Sequence, residues 1–338
     1  MNVHHVPHKL ICLWMIFCGL ALAQSLPGSD RSEVLSLRGD IAPVHDPTLI
    51  RQGSTYYVFA TNRFNQKLIP ILCSQDLQEW TFCGNVFESV PEWALHEIPE
   101  ARGIWAPDIS FVNGEYRLYY AVSTFGSNHS VIGLITNKTL DRGSSDYKWI
   151  DKGLVIASTK EDDFNAIDPN CVQDEQGNNW LAFGSFWSGI KMRRLEFATG
   201  KLSDKDTKLY SLANRRPLDP PAVEGPAIVR HEGHYYLFVA FDFCCRGKNS
   251  TYKIFVGRAK RITGPYYDRD GKSLLEGGGT LLIEGSENWR GPGGQSVLHQ
   301  PSGDFLAFHS YSSATGKASL MIAKLKWKDG WPETAVLP

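Results

Sequence analysis

Charge of one sign is nowhere concentrated in this chain. Its 35 Lys and Arg stand against 36 Asp and Glu, for a formal net charge of −1, and no long basic run breaks the balance. That argues against nucleic acid or an anionic membrane as partner. Zinc-ligand spacing is also missing, with no Cys-x-x-Cys and no Cys/His cluster at ligand intervals. No long helical stripe follows Ile41. The one extended apolar run, Leu10 to Ala23, is too short to cross a bilayer comfortably. Preceded by His4, His5 and Lys9 and ending in Ala21-Leu22-Ala23 before Gln24, it reads as a secretory signal over residues 1–23, with a membrane anchor as the alternative.

What the chain does have is aromatic residues, 10 Trp, 13 Tyr and 17 Phe, and they recur in a frame. Turn glycines at 53, 114, 177, 233 and 303 each precede an aromatic-rich strand: Tyr56-Tyr57-Val58-Phe59-Ala60, Tyr116-Arg117-Leu118-Tyr119-Tyr120, Trp180-Leu181-Ala182-Phe183-Gly184, Tyr235-Tyr236-Leu237-Phe238-Val239 and Phe305-Leu306-Ala307-Phe308-His309. A strand-rich unit of about sixty residues that occurs five times predicts an all-β, five-bladed propeller with one blade per repeat. Further strands are expected at Lys67 to Cys73, Ser130 to Thr136, Gly189 to Leu195, Tyr252 to Arg258 and Lys317 to Trp327. Residues 24–40 read as a polar lead-in and 41–338 as the propeller, with no room for a second domain. Either the lead-in or Trp331 to Leu337 is expected to tie the ends of the ring together.

Five cysteines remain once the first segment is set aside, an odd number. Cys73 and Cys83 flank a hairpin and make the most plausible bridge in an oxidising compartment. Cys244 and Cys245 can join each other, or one of them can reach Cys171. Asn128, Asn137 and Asn249 each begin an acceptor sequon, a candidate glycan site in a secreted chain.

Three acids stand ahead of the turns, in His45-Asp46-Pro47, Ile167-Asp168-Pro169 and Glu224-Gly225-Pro226, whereas the fifth repeat has Gly291-Pro292-Gly293-Gly294 and no acid. Asp before Pro alone is a common turn. Radial stacking of the repeats, however, would gather Asp46, Asp168 and Glu224 at one end of a central axis, and facing carboxylates are the machinery of glycoside hydrolysis. His45, Trp105, Phe125, Asn165, Ser185 and Trp187 are candidate sugar contacts, the aromatic members as stacking surfaces. Blade packing is the structural alternative for each aromatic. Asp108 is expected to brace its blade through backbone hydrogen bonds, and His309 to be a satisfied core residue.

Together, His45-Asp46-Pro47, Trp105-Ala106-Pro107-Asp108, Asn165-Ala166-Ile167-Asp168-Pro169-Asn170, Phe183-Gly184-Ser185-Phe186-Trp187-Ser188-Gly189-Ile190 and Glu224-Gly225-Pro226 resemble the motifs of glycoside hydrolase family 43. Within it the likeness is greatest to secreted fungal endo-1,5-α-L-arabinanases. The resemblance implies a five-bladed propeller that cuts arabinan with inversion, and a single closed propeller is expected to be a monomer. Asp46 would be general base, Glu224 general acid, and Asp168 the carboxylate that orients the acid and raises its pKa. An exo-acting arabinofuranosidase or β-xylosidase, or a sugar-binding propeller without catalysis, are the alternatives. No cofactor is implied for the chemistry. A structural calcium on the axis is implied for relatives with a His in the Gly-Pro-Gly segment, but Gly294 stands there in this chain, followed by Gln295.

Overall fold

Each repeat folds as one antiparallel sheet in a computed structural model that describes residues 1–2, 33–61 and 69–338. Blade one has strands His45–Gln52, Thr55–Thr61, Pro70–Ser74 and Glu79–Asn85; blade two has Trp105–Val112, Glu115–Val122, Ser130–Asn137 and Ile150–Ser158. Blade three runs Asn170–Gln173, Asn179–Phe183, Ile190–Leu195 and Tyr210–Ala213. Blade four runs Val223–His231, His234–Phe241, Lys253–Ala259 and Thr280–Ile283, and blade five Trp289–Leu298, Asp304–Ser312, Ala318–Lys328 and Trp331–Glu333. The five-bladed propeller expected from the repeats is the observed fold. Residues 3–23 of the expected signal segment and residues 24–32 of the lead-in lie outside the described residues, as do Lys67 and Leu68.

The aromatic strands are apolar throughout because both faces of each blade are covered. In His234–Phe241, Tyr235, Leu237, Val239 and Phe241 pack with Trp180, Ala182 and Met192 of blade three. Tyr236 and Phe238 point the other way, against Leu306, Phe308 and Met321 of blade five. Side chains alternate faces along a strand, so one sequence run serves two joints. Equivalent layers join blades one and two, two and three, and five and one. Burying each such side chain contributes about 1.5–3 kcal/mol.

A bulge recurs in the innermost strands. His45 pairs Thr61 and Thr48 pairs Phe59; Trp105 pairs Ala121 and Asp108 pairs Tyr119; Glu224 pairs Ala240 and Ala227 pairs Phe238; Gly293 pairs His309 and Ser296 pairs Ala307. Two residues are thus opposed by one in each pair of strands. The first bulged residue is left-handed: φ is 47° at Asp46, 41° at Ala106, 54° at Asp168, 61° at Gly225 and 57° at Gly294. This register corrects the sequence frame in two places. Glu224 lies one residue ahead of the Asp46 and Asp168 position, level with His45 and Trp105. In blade five it is Gly294-Gln295, not Gly291-Pro292, that matches Asp46-Pro47.

Just past the bulge, side chains link successive blades. Thr48 Oγ1 accepts the Ile109 N–H (3.4 Å), Asp108 Oδ2 the Cys171 N–H (2.7 Å), Asn170 Oδ1 the Ile228 N–H (2.9 Å) and Ser296 Oγ the Leu49 N–H (3.2 Å). Blade four has Ala227 at this place, and its joint to blade five is made by Gln295 Nε2 donating to the Gly225 carbonyl (2.5 Å). Asp108 also accepts from Asn170 Nδ2 (3.0 Å), so it braces the joint to blade three where bracing of its own blade was expected.

The lead-in ties the ring ends. Leu35 N–H donates to the Ile322 carbonyl, Leu320 N–H to Ile41 and Val44 N–H to Ala318, while Arg38–Gly39 pairs in parallel with Glu79 and Trp80 of blade one. Trp331–Glu333 stays in its own blade. Cys73 bonds Cys83, Cys244 bonds Cys245, and Cys171 is a free thiol that burial pushes up to about 12.

Candidate active site

The bulges converge on one axial cavity, lined by Asp46, Pro47, Thr48, Ala106, Pro107, Asp108, Asp168, Pro169, Gly225, Pro226, Tyr252, Gly294, Gln295 and Ser296. Glu224, one residue before the cavity-lining Gly225, bridges to Ser185 of blade three, whose hydroxyl donates to Glu224 Oε2. Asp168 Oδ2 accepts the Gly225 N–H at 3.1 Å, so it holds the backbone next to Glu224. The second strand of each blade ends level with the bulge. The connections after those strands therefore rim the same mouth, with Phe125 (84% exposed) on blade two, Phe186 and Trp187 on blade three and Phe243 on blade four. Phe186 (φ 53°) and Trp187 (φ 41°) are left-handed without being glycine, and such strain is concentrated at functional sites.

Asp46 is the most heavily engaged acid. Its Oδ2 accepts from the Thr61 hydroxyl (2.6 Å) and lies 2.9 Å from His45 Nδ1, and its own N–H donates to His309 Nδ1 (3.1 Å). Burial alone would raise its pKa, but the charge and hydrogen bond of His45, with the Thr61 hydroxyl, outweigh that and hold the carboxyl well below the usual range. Glu224 goes the other way, up to about 7: burial leads, the Asp46 charge adds, and the Ser185 and His45 contacts only partly offset them. Asp168 is raised well above its ordinary value by burial, then by the charges of Glu224 and Asp46. Burial comes first for both Glu224 and Asp168, with the charge of Asp46 added to each. Glu224 and Asp168 repel one another when both are ionised, so the site keeps a proton on this pair while Asp46 stays charged.

The axis carries His45, Asp46 and His309, whose donor atoms lie within 4.8 Å of one another. They do not make a calcium cage, which takes six to eight oxygens: one carboxylate stands beside two imidazoles, and His309 Nδ1 is already committed to the Asp46 N–H. A Cβ at Gly294 would collide with Asp46 Oδ1 and come within 2.9 Å of the His309 ring, so these two groups fill the space a side chain there would need.

The other expected contacts divide. His45 has both ring nitrogens engaged by protein, Nδ1 with Asp46 and Nε2 with the Tyr311 hydroxyl (2.5 Å), so it supports Asp46 instead of offering a nitrogen to sugar. Asn165 is buried, its Nδ2 on the Ser127 carbonyl and its Oδ1 on the Ser130 hydroxyl, and holds a loop. Ser185 serves Glu224. Trp105, Phe125 and Trp187 keep surface at or beside the mouth. Of the sequons, Asn128 and Asn137 are buried, with Asn128 Nδ2 bound to the Asp162 and Phe164 carbonyls, and only Asn249 is exposed. Thr61, His309 and Tyr311 were not anticipated as site residues. His309 stacks on His45 at 3.7 Å and burial holds it neutral. The available signal was two polar rings at alternate positions near the end of an apolar strand, hence on one face.

A propeller whose mouth pairs one ionised carboxylate with another kept protonated has the layout of a glycoside hydrolase. The model for glycosyl hydrolases family 43 matches residues 41–332. An extracellular endo-α-(1→5)-L-arabinanase of Bacillus subtilis is 42% identical, covering 97% of this chain and 96% of its own length. An extracellular exo-α-(1→5)-L-arabinofuranosidase of Cellvibrio japonicus is 40% identical over 86% of each, and a probable arabinan endo-1,5-α-L-arabinosidase of Aspergillus fumigatus is 36% identical over 86% of this chain and 90% of its own. The solved endo-arabinanase of Bacillus licheniformis superposes with a TM-score of 0.82 at 45% identity, covering 88% of this chain and 99% of that one. The chain belongs to glycosyl hydrolases family 43 and is a glycoside hydrolase. Of these relatives the Bacillus subtilis enzyme, at 42% identity, is nearer than the Aspergillus one, at 36%, which corrects the expected fungal likeness.

Proposed function

We propose that this enzyme cuts α-1,5-L-arabinofuranosidic bonds within arabinan, with inversion at the anomeric carbon. Asp46 is the general base that activates water, Glu224 the general acid that protonates the leaving oxygen, and Asp168 the residue that orients the acid through the Gly225 N–H. The reading rests on one observation above the rest: Asp46 and Glu224, at one mouth, are pushed to opposite protonation states, charged and neutral. Those are the states a base and an acid need before reaction. Trp105, Phe125 and Trp187 supply faces for furanose rings. Secretion and a monomeric state are part of the same reading; relatives are named extracellular, and among the described residues no helix is long and apolar enough to cross a membrane. Asn249 is the glycan site the fold leaves open.

The Cellvibrio relative gives exo action a specific claim as the second reading. Linear arabinan digested over time separates the two. Oligosaccharides of mixed length in the first minutes support internal cutting, whereas a single short product from the start assigns exo action. Proton NMR of the fresh product checks inversion, with the β-anomer expected first and an initial α-anomer contradicting it.

A further inference from the structure

Two arginines stack on phenylalanines of one blade-four segment, and they are used differently. Arg215 lies over the Phe241 ring, 4.4 Å from its centre, while its Nη1 donates to Asp242 (2.6 Å) and to the Ala222 carbonyl (3.1 Å). Arg246 lies over the Phe243 ring at 4.1 Å, yet no described residue accepts a hydrogen bond from its guanidinium. Asp242 is the single acid between Phe241 and Tyr252, and Arg215 has it. Stacking covers a face of the planar guanidinium and leaves its N–H donors free along the edge. Arg246 is exposed, so those donors are open to a ligand.

Two chains of contact place Arg246 on the rim of the mouth. From Glu224, the Ser185 hydroxyl leads to Phe186, the next residue, whose ring centre is 6.0 Å from that of Phe243. From Asp46, His45 leads to the Tyr311 hydroxyl, which accepts the N–H of Cys245 (2.9 Å), the neighbour of Arg246 in sequence. Arg246 stands where the two chains meet, bonded to neither carboxylate. The segment is held in place there. Asp242 and Cys245 are left-handed (φ 72° and 66°), and Cys244 is bonded to Cys245. The Phe243 carbonyl accepts the N–H groups of Thr251 (2.8 Å) and Tyr252 (3.1 Å), and the Arg246 N–H donates to Ser250 Oγ (3.0 Å).

We propose, on the reading of this site as an arabinan hydrolase, that the Arg246 guanidinium, held flat on Phe243, donates hydrogen bonds to hydroxyls of an arabinose unit beyond the two that the cut bond joins. Those two units lie against the carboxylates, which Arg246 does not touch. A neutral furanose offers hydroxyl oxygens as acceptors, and an edge of fixed donors suits them. Arg246 thereby makes binding depend on the length of the chain in the groove.

The test is Arg246→Ala, with kcat and KM measured on linear arabinan and on a ladder of its oligosaccharides. On arabinan, kcat/KM should fall by about tenfold, the scale of one or two hydrogen bonds from a charged donor. KM should carry the loss, with kcat within about twofold, and the loss should shrink as the substrate shortens. An equal loss at every length overturns the proposal. So does a loss carried by kcat, which is what a segment that merely braces Tyr311 would give. Arg246→Lys keeps the charge without the flat fork of donors, and it should behave like Arg246→Ala; full recovery in the lysine variant overturns the proposal as well. Wild-type enzyme that leaves arabinan and every oligosaccharide uncut would remove the reading of the site itself, whereas cutting with a length-independent Arg246→Ala removes only the part given to Arg246.

Discussion

Blades one and two share a backbone and differ in chemistry. Both innermost strands bulge at the same place with the same left-handed residue, yet that residue is Asp46 in one and Ala106 in the other. The next functional position, three residues past the level of His45 and Trp105, reverses the contrast: blade one has neutral Thr48 and blade two has Asp108, pushed up to about 6 by burial although the Cys171 N–H and Asn170 hold it down in part. One carboxylate is kept charged at the cavity. The other lines the same cavity but spends both oxygens as acceptors in a blade joint. An acid in the axial motif is therefore assigned by its register against the bulge, not by its presence.

The sharpest way to break this contrast is Asp46→Asn, which keeps shape and removes the charge of the proposed base. Hydrolysis of linear arabinan should fall by about 10²–10⁴-fold, the share of a positioned acid or base, with the melting temperature little changed. Next is Gly294→Ala. The added methyl needs a strained φ and meets Asp46 and His309, so initial rates should drop by at least about tenfold while circular dichroism remains that of the wild type. In blade two the corresponding change is to stability. Asp108→Ala strands the buried Cys171 N–H and should lower unfolding free energy by about 1–3 kcal/mol, read by chemical denaturation, without a comparable loss in kcat. Thr48→Val removes one longer hydrogen bond (3.4 Å) and should cost about 0.5–1.5 kcal/mol on the same measurement.

The pH profile sharpens the other half of the contrast, between Asp46 and Glu224. A base held below the usual carboxylate range is active once ionised, so its limb lies on the acid side and activity falls as pH drops through it. An acid raised to about 7 works only while protonated, so kcat/KM should fall as pH rises through about 7. A profile flat to pH 9 would take the acid role from Glu224.

The propeller was legible because strands buried on both faces must be apolar throughout, and because each needs a turn at its head; five copies of that demand leave a period in the sequence. The three acids were legible for their neighbours, Pro and Gly-Pro. Their relative register was not, since Glu224-Gly225-Pro226 and Asp46-Pro47 look alike until strand pairing shows that Gly225, not Glu224, matches Asp46. Pro292 misled in blade five for the same reason. His309 and Tyr311 stayed hidden inside an aromatic strand, where ring residues read as core. Asn165 and His45 looked like sugar contacts because polarity beside an acid does not say whether a neighbour or a ligand satisfies it.

The account stands most directly on Glu224→Gln. Wild-type and variant enzyme digest linear arabinan side by side, with oligosaccharides followed over time and arabinan binding measured by calorimetry. Loss of hydrolysis with binding retained is the predicted result; a variant that releases oligosaccharides at the wild-type rate would contradict it.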